Sequence, residues 1–469
     1  MSTEIVAAAG QADQQGTQSV ELISRALAEP PWLLQWRRRA FETFQATALP
    51  HRATHLWRYT DPATFEPTPE LWAQVTSAGS GPGGRETDKS ASGSPASAGP
   101  ASGRSQAERP EAGGGDSRGV QPVLPDVLPE SARAAGLVLT SIAEAAREHP
   151  ELLRRVLGHA VGPEFGRYEA LNAALFQDGL FLYVPRNAQV ETPVHLLRGP
   201  GGSVPAGSAP LPGRGAALAR LAVLVEEGAS LTLIDECSGD FEGGRGTLYG
   251  VTETVLGAEA RVNHAFIQDL GERVRSHITQ RAVLDRGAVY RPVLVSFGGG
   301  LSKVDAGAVL QGPGAESELT GFVSGAGRQR FDHHTVHHHV GPRTRSNLDF
   351  KTVLAGRARS AYTGLIRIEP PASFTEAYQE NRNLLLSEHC RAESIPELEI
   401  MTEEVQCKHG ATIGPLDPAH LFYLQSRSIP RPEAVSMIVE GHFESALLRL
   451  PEALQERLRK LLRDRLRSI

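Results

Sequence analysis

The segment Cys407–Gly414 places a thiol and an imidazole two residues apart, ahead of a run of small residues. A deprotonated thiol and a neutral imidazole both bind transition metals. On an extended strand, residues i and i+2 project from the same face, so Cys407 and His409 could contact one metal ion together. Taken alone, the two residues are explained better as the packed end of a strand. The elements that position them therefore decide what they do.

The five histidines within residues 333–339 are a second group of candidate ligands. On a strand, one face would carry His333, His337 and His339, and the other would carry His334 and His338. His333 and His337 would then lie about 13 Å apart, too far to bind one ion. A helix would bring these two together, but the His-Glu-x-x-His pattern of zinc enzymes is absent. We therefore favour a polar ladder along a solenoid face over a metal site.

The chain has only three cysteines, Cys237, Cys390 and Cys407, which are too few for a disulfide framework. Iron–sulfur clusters usually take four thiolates, so this chain alone cannot hold one through cysteine. Any such cluster would need histidine ligands or thiolates from another chain. Cys237 and Cys390 are best explained as buried thiols, because a free cysteine packs as a small apolar side chain.

Composition excludes several classes of function. The net charge of -6 gives no electrostatic footprint for nucleic acid. No Gly-x-x-x-x-Gly-Lys-Ser/Thr loop occurs, so the chain has no ATP site of that kind, and an ATP-driven step would need a partner. Neither a signal peptide nor an apolar run of about 18 residues is present. We expect a soluble cytoplasmic protein without a membrane segment.

The composition changes several times along the chain. Residues 1–76 read as a helical region with all four tryptophans. Residues 77–119 are rich in Gly, Ser, Ala and Pro and predict a disordered insertion, because they offer little apolar surface to bury. Residues 120–170 read as helical again, with a break expected at Pro150. Residues 171–414 form the core, and residues 415–469 return to helix, with Asp417 as a predicted N-cap.

The core consists of short alternating apolar runs without helices between them. A Gly-Ala turn is expected before such runs at intervals of about 20 to 30 residues, which is typical of a solenoid. The four pairs begin at Gly228, Gly257, Gly287 and Gly307. We predict a mainly β protein with a parallel β-helix core, flanked by N-terminal and C-terminal helical domains. Because the repeats are degenerate, a β-sandwich remains an alternative.

The last predicted helix carries a leucine stripe surrounded by basic residues. The stripe consists of Leu454, Leu458, Leu461, Leu462 and Leu466. Its leucines could dock the helix onto the core, or the helix could bind a partner protein. The pattern supports both interpretations equally.

Several motifs together resemble the SufB/SufD family of iron–sulfur cluster assembly proteins. They cover most of the chain in pieces, most densely from Asp332 to Ile429. The motifs include Leu49–Thr60, Leu171–Gly179, Phe350–Leu354, Gln379–Ser387, Pro396–Ile400, Cys407–Gly414 and Leu421–Arg427. The resemblance is strongest to SufD, because Gly410 stands where SufB-type chains carry glutamate.

The resemblance implies a right-handed parallel β-helix and a scaffold subunit rather than an enzyme. It implies a SufB-type partner, joined as a heterodimer through the β-helix, and a SufC-type ATPase at the C-terminal helices. A transient iron–sulfur cluster or iron would be shared with the SufB-type partner. His409 maps to the favoured ligand and Cys407 to a secondary one. A homodimer of the isolated chain is also allowed.

Two alternatives remain. A SufB-like scaffold that accepts sulfur would need a reactive cysteine inside the β-helix, for which Cys237 is the candidate. A β-helix hydrolase or lyase, or a metal hydrolase built on the run His333–His339, belongs to a different class. Stoichiometric zinc in the isolated protein would favour the metal hydrolase.

Overall fold

The computed structural model describes residues 16–68, 71–72, 128, 130–201, 204–205 and 215–467. The predicted insertion at 77–119 lies outside these residues. The strands are β1 (Val138–Ser141), β2 (Asp178–Val184), β3 (Val194–Arg198), β4 (Val204–Pro205), β5 (Ala216–Val225), β6 (Ser230–Gly239), β7 (Gly246–Leu256), β8 (Arg261–Leu270), β9 (Val274–Leu284), β10 (Val289–Ser296), β11 (Leu301–Leu310), β12 (Glu316–Gly325), β13 (Arg330–His339), β14 (Arg345–Leu354), β15 (Arg359–Ile368), β16 (Thr375–Leu385), β17 (Arg391–Ile400) and β18 (Val405–Pro415).

The strands form two sheets that face each other. One sheet has the order β1-β2-β5-β7-β9-β11-β13-β15-β17, and the other has the order β18-β16-β14-β12-β10-β8-β6-β3-β4. From β5 to β18 the chain alternates between the sheets, and each strand pairs in parallel with the strand two places along. This is a parallel β-solenoid, which confirms the predicted fold class and excludes the β-sandwich.

Glycine turns separate successive strands where the backbone must adopt a positive φ. Gly228 and Gly287 have φ values of 69° and 64°, a region that residues with a side chain rarely adopt. The expected turn at Gly307 is wrong, because this residue lies inside β11. The turn of that repeat is formed by Gly314, whose φ is 72°.

The N-terminal part packs against the first turns of the solenoid. Residues 16–26 are helical. The further helices of this part are α1 (Pro31–Ala46), α2 (Glu130–Ala134), α3 (Ile142–Glu148), α4 (Pro150–Leu153) and α5 (Arg167–Leu175). The predicted break at Pro150 is confirmed, since α3 ends just before it and α4 begins at it. Trp57 and Trp72 are buried in the core shared with β2, β5 and β7, and Trp32 and Trp36 pack at its margin.

Three helices follow the last strand: α6 (Pro418–Ser426), α7 (Arg431–Leu447) and α8 (Glu452–Arg467). The side chain of Asp417 accepts a hydrogen bond from the backbone of Ala419, which confirms it as the N-cap of α6. Leu454, Leu458 and Leu462 of α8 are buried against the even-numbered strands. The leucine stripe therefore docks α8 onto the solenoid and is not available to a partner.

The described part of the chain has no helix that combines the length and the apolar character needed to span a bilayer.

Candidate functional site

Strands β17 and β18 form the last rung of the solenoid. Each is the final strand of its sheet, so its outer edge has no pairing strand among the described residues. Most inward-facing side chains of the solenoid are covered by the next rung, whereas no residue of β17 or β18 is fully buried. Side chains on this rung are therefore both held by a sheet and open to solvent.

Cys407 lies on β18 and packs against the apolar core inside the solenoid. It pairs in register with Ala377 of β16, which is buried. Burial raises the pKa of the Cys407 thiol above its ordinary value, and a hydrogen bond with the backbone of Lys408 opposes this shift. The thiol is therefore protonated at neutral pH, and metal binding would have to displace the proton.

His409 is exposed and shares the inward face of β18 with Cys407, because the two residues are separated by one. Their Cα atoms are about 7 Å apart on such a strand. His409 pairs in register with Gln379 of β16, so the imidazole stacks above this residue. The strand thus presents an imidazole at the open end of the solenoid, with the thiol partly buried beside it.

Gln379 is a residue of this site that the sequence reasoning did not single out. It is fully buried, and neither its amide oxygen nor its amide nitrogen has a hydrogen-bond partner among the described residues. Across the interior lies Gly364, where any Cβ would collide with Gln379 Nε2 and crowd the Tyr362 hydroxyl. Gly364 therefore leaves room for an uncompensated amide directly beneath His409.

Position 410 lies on the outward face of the same strand. A Cβ built at Gly410 would meet only the Tyr378 hydroxyl, at 3.9 Å. Outward-facing Gln406 and Lys408 line a groove of about 420 Å³ with residues of β12, β14 and β16. Cys407 and His409 do not line this groove, so the candidate ligands lie outside it, on the inward face of the last rung.

Within the described ranges, no group of three or more His, Cys, Asp or Glu residues is placed to hold a metal ion. Cys407 and His409 therefore offer at most two donors from this chain. Stable zinc and iron–sulfur sites usually use three or four protein ligands. Further ligands would have to come from another molecule.

Comparison with known proteins gives the family. The model described as "SUF system FeS cluster assembly, SufBD core domain" matches residues 211–442, and the "SufBD protein N-terminal region" matches residues 123–196. An iron–sulfur cluster assembly SufBD family protein of Mycobacterium tuberculosis is 30% identical over 344 residues, which cover 70% of this chain and 82% of the relative. The chain belongs to the SufBD family.

Other SufBD relatives extend this likeness. The iron–sulfur cluster assembly protein SufD of Bacillus subtilis is 28% identical over 326 residues, covering 69% of this chain and 72% of SufD. A SufBD family protein of Staphylococcus epidermidis is 23% identical over 435 residues, covering 92% of this chain and 88% of the relative. The chain is thus an iron–sulfur cluster assembly protein of the SUF system, which confirms the resemblance.

The histidine run lies on β13 of this SufBD solenoid. Its inward-facing histidines bond to hydroxyl groups: His333 to Ser296 at 2.9 Å, His337 to Ser317 at 3.0 Å, and His339 to Thr344 and Ser346 at 2.7 and 2.9 Å. Burial lowers the pKa values of His333 and His339 to about 3. Each of these imidazoles is bonded to a hydroxyl group through at least one ring nitrogen, although the Nδ1 atoms of His333 and His337 have no partner among the described residues. The arrangement fits the polar ladder and gives the metal-hydrolase alternative no support.

Cys237 is buried inside the SufBD core on β6. Burial raises the pKa of its thiol to about 12, although the nearby Arg198 guanidinium opposes the shift. Arg198 instead forms a buried ion pair with Asp235, at 2.5 Å. A sulfur acceptor works as the thiolate, which Cys237 does not form at neutral pH. This environment disfavours the SufB-like alternative.

Exposed apolar side chains lie at both ends of the last rung and on the helix that follows it. We define the terminal patch as the exposed Ile400, Met401, Ile413, Phe422 and Tyr423. Helix α6, which carries the last two, has no buried residue, and the Phe422 side chain is 73% exposed. Open strand edges with exposed apolar side chains along them are typical of surfaces that bind another protein.

Proposed function

We propose that this chain is a SufD-like scaffold subunit that holds a nascent iron–sulfur cluster, or iron, on its last rung together with a partner protein. The observation that carries the proposal is His409, an accessible imidazole beside one half-buried thiol, on a strand whose outer edge has no pairing strand among the described residues. Two donors cannot complete a site, so the remaining ligands come from the partner, as a SufB-type thiolate. Cys407 has the secondary role, because its thiol must first lose a proton.

Mixed ligation suits a cluster that must later leave. A histidine ligand is neutral and replaces one thiolate charge, and it raises the reduction potential of a cluster. The cluster is cargo here and not a resident cofactor. The protein therefore supplies position and shelter at an interface rather than catalysis, which is the reason for calling it a scaffold and not an enzyme.

The SufB-type partner would pair with the open edges of β17 and β18 to form a heterodimer. These edges offer unpaired backbone groups, and Ile400 and Ile413 add apolar surface beside them. Pairing would bring partner ligands to His409 at the same time as it covers the rung. In isolation, the same edges would allow two copies of this chain to form a homodimer.

The SufC-type ATPase would bind the C-terminal helices. Because α8 is docked on the solenoid, α6 offers the free surface, with Phe422 and Tyr423 as anchors. Helix α6 follows β18 after two residues, so movement of α6 during ATP hydrolysis would be transmitted to the rung that carries His409. Phe422→Asp should abolish ATPase binding, whereas Leu448→Asp, which changes another strongly exposed apolar residue at the end of α7, should not.

The ligand role is tested by His409→Ala in the complex co-purified with the SufB-type and SufC-type partners. We expect the iron and sulfide content to fall strongly, with complex formation unchanged. His389→Ala, which removes another exposed histidine in the turn before β17, is the matched control. Cluster loading equal to that of the control variant would refute the role of His409.

A further inference from the structure

A row of arginines runs along one corner of the solenoid. We define the arginine ridge as Arg328, Arg330, Arg357, Arg359 and Arg391. Arg328 and Arg357 lie in the turns that precede β13 and β15, and the other three are the first residues of β13, β15 and β17. Those three pair in register across consecutive rungs, and all five side chains are exposed. Their Cα atoms therefore repeat about every 4.8 Å.

The ridge is held rigidly by its backbone. The N–H groups of Arg330, Arg359 and Arg391 donate to Gly300, Gln329 and Ala358 of the preceding rung, at 3.0, 2.9 and 3.1 Å. The Cα positions of these three arginines are thus set by the pairing of the strands in the solenoid.

The charge of the ridge is not neutralised within the described residues. The side chains of Arg328, Arg330, Arg357 and Arg359 make no hydrogen bond or ion pair there, and Arg391 donates only to the carbonyls of Glu388 and Cys390. Other exposed arginines of the solenoid do have carboxylate partners, such as Arg382 with Glu380 at 2.7 Å. Glu388 and Glu393 are nearby carboxylates, and Glu393 already accepts a hydrogen bond from Tyr59. Like charges at this spacing repel, and an anionic partner would relieve the repulsion.

We propose that the arginine ridge binds an acidic α-helix of a partner protein, aligned with the solenoid axis. The ridge spans three rungs, about 10 Å, which matches about two turns of helix. The helical pitch of about 5.4 Å is close to the rung spacing, so carboxylates on successive turns can meet successive arginines. A nucleic acid or a membrane would extend past the ridge onto a chain whose net charge is -6. Arg391 lies on the last rung, so this helix reaches the end where β17 and β18 are open.

The test measures how tightly the full chain binds a synthetic helical peptide with glutamates at i, i+4 and i+8. Fluorescence anisotropy of the labelled peptide reports binding at low salt and at about 0.15 M salt. The ridge variant is R330Q/R359Q/R391Q. The control variant is R286Q/R345Q/R382Q, which removes three exposed arginines that already have carboxylate partners. We expect the ridge variant to bind the peptide about tenfold more weakly at low salt, and the control variant to bind like the wild type.

A charge exchange completes the test. The variant R330E/R359E/R391E should lose the glutamate peptide and bind the same peptide carrying lysines instead, which a folding defect could not produce. Equal affinities for the ridge and control variants would overturn the proposal. So would a duplex DNA, or vesicles of phosphatidylcholine and phosphatidylserine, that bound through the ridge more tightly than the peptide.

Discussion

Gln379 allows a sharp test of whether the last rung is built for a ligand. A buried amide without a partner costs about 1–3 kcal/mol. Gln379→Leu replaces it with an apolar side chain of similar size, so we expect the variant to be more stable than the wild type by about 1–2 kcal/mol. The same change removes the polar support beneath His409, and we expect cluster retention by the assembled complex to decrease.

The matched control is Asn381→Leu, on the same strand and the same inward face. Asn381 Nδ2 donates to the Phe350 carbonyl at 2.9 Å, and its oxygen accepts from Asn383 at 2.6 Å. Losing two satisfied hydrogen bonds should lower stability by about 1–3 kcal/mol. Chemical denaturation compares the free energies of unfolding, and iron and sulfide analysis of the complex compares the loading. Two outcomes would contradict a role of the Gln379 amide in the site. The first is that Gln379→Leu lowers the free energy of unfolding as much as Asn381→Leu does. The second is that Gln379→Leu is more stable than the wild type but leaves the iron and sulfide content of the complex unchanged.

Two further predictions concern thiol reactivity and pH. Iodoacetamide should label Cys407 in the folded protein at pH 8 but leave Cys237 unlabelled until denaturant is added, because the pKa of Cys237 is about 12. Mass spectrometry of the labelled peptides measures this difference. Labelling of Cys237 before denaturant is added would contradict the prediction. Stability should decrease as the pH falls from about 6.5 towards 4, because His333 and His339 stay neutral in the fold, with pKa values of about 3, but take up protons when unfolded. Denaturation curves at several pH values should show a weaker pH dependence in His333→Asn, and an unchanged slope would refute this account.

The sequence predicts those features of the fold that depend on residues close to one another in the chain. Alternating apolar runs with turn glycines predicted the solenoid, and the strand period predicted which histidines of β13 face inward. Pro150 and Asp417 were recognised from rules that involve only neighbouring residues. Gly307 shows the limit of this approach, because a glycine inside a strand and a glycine in a turn have the same immediate sequence context.

The composition of the site could not be derived in the same way. Gln379 and His409 are 30 residues apart, and their stacking depends on the length of every strand and turn between them. The burial of Cys237 likewise depends on strands from several rungs. Such contacts depend on the pairing register between strands of different rungs, which cannot be read from any single sequence motif. The leucine stripe of α8 supported two interpretations for the same reason, since only the packed structure shows that the even-numbered strands cover it.

Position along the stack, rather than residue type, separates the histidines of this protein. His333 and His409 both lie on inward faces of the solenoid. His333 is covered by further rungs, bonded to Ser296 and kept neutral by burial, so it can neither bind nor release a metal ion readily. His409 lies on the last rung, where a side chain keeps its place in the sheet and remains accessible. A cargo ligand needs both properties, and a solenoid provides them together only at its ends. An extra rung added after β18 would therefore bury His409 and remove the ligand role that we propose for it, without changing the residue itself.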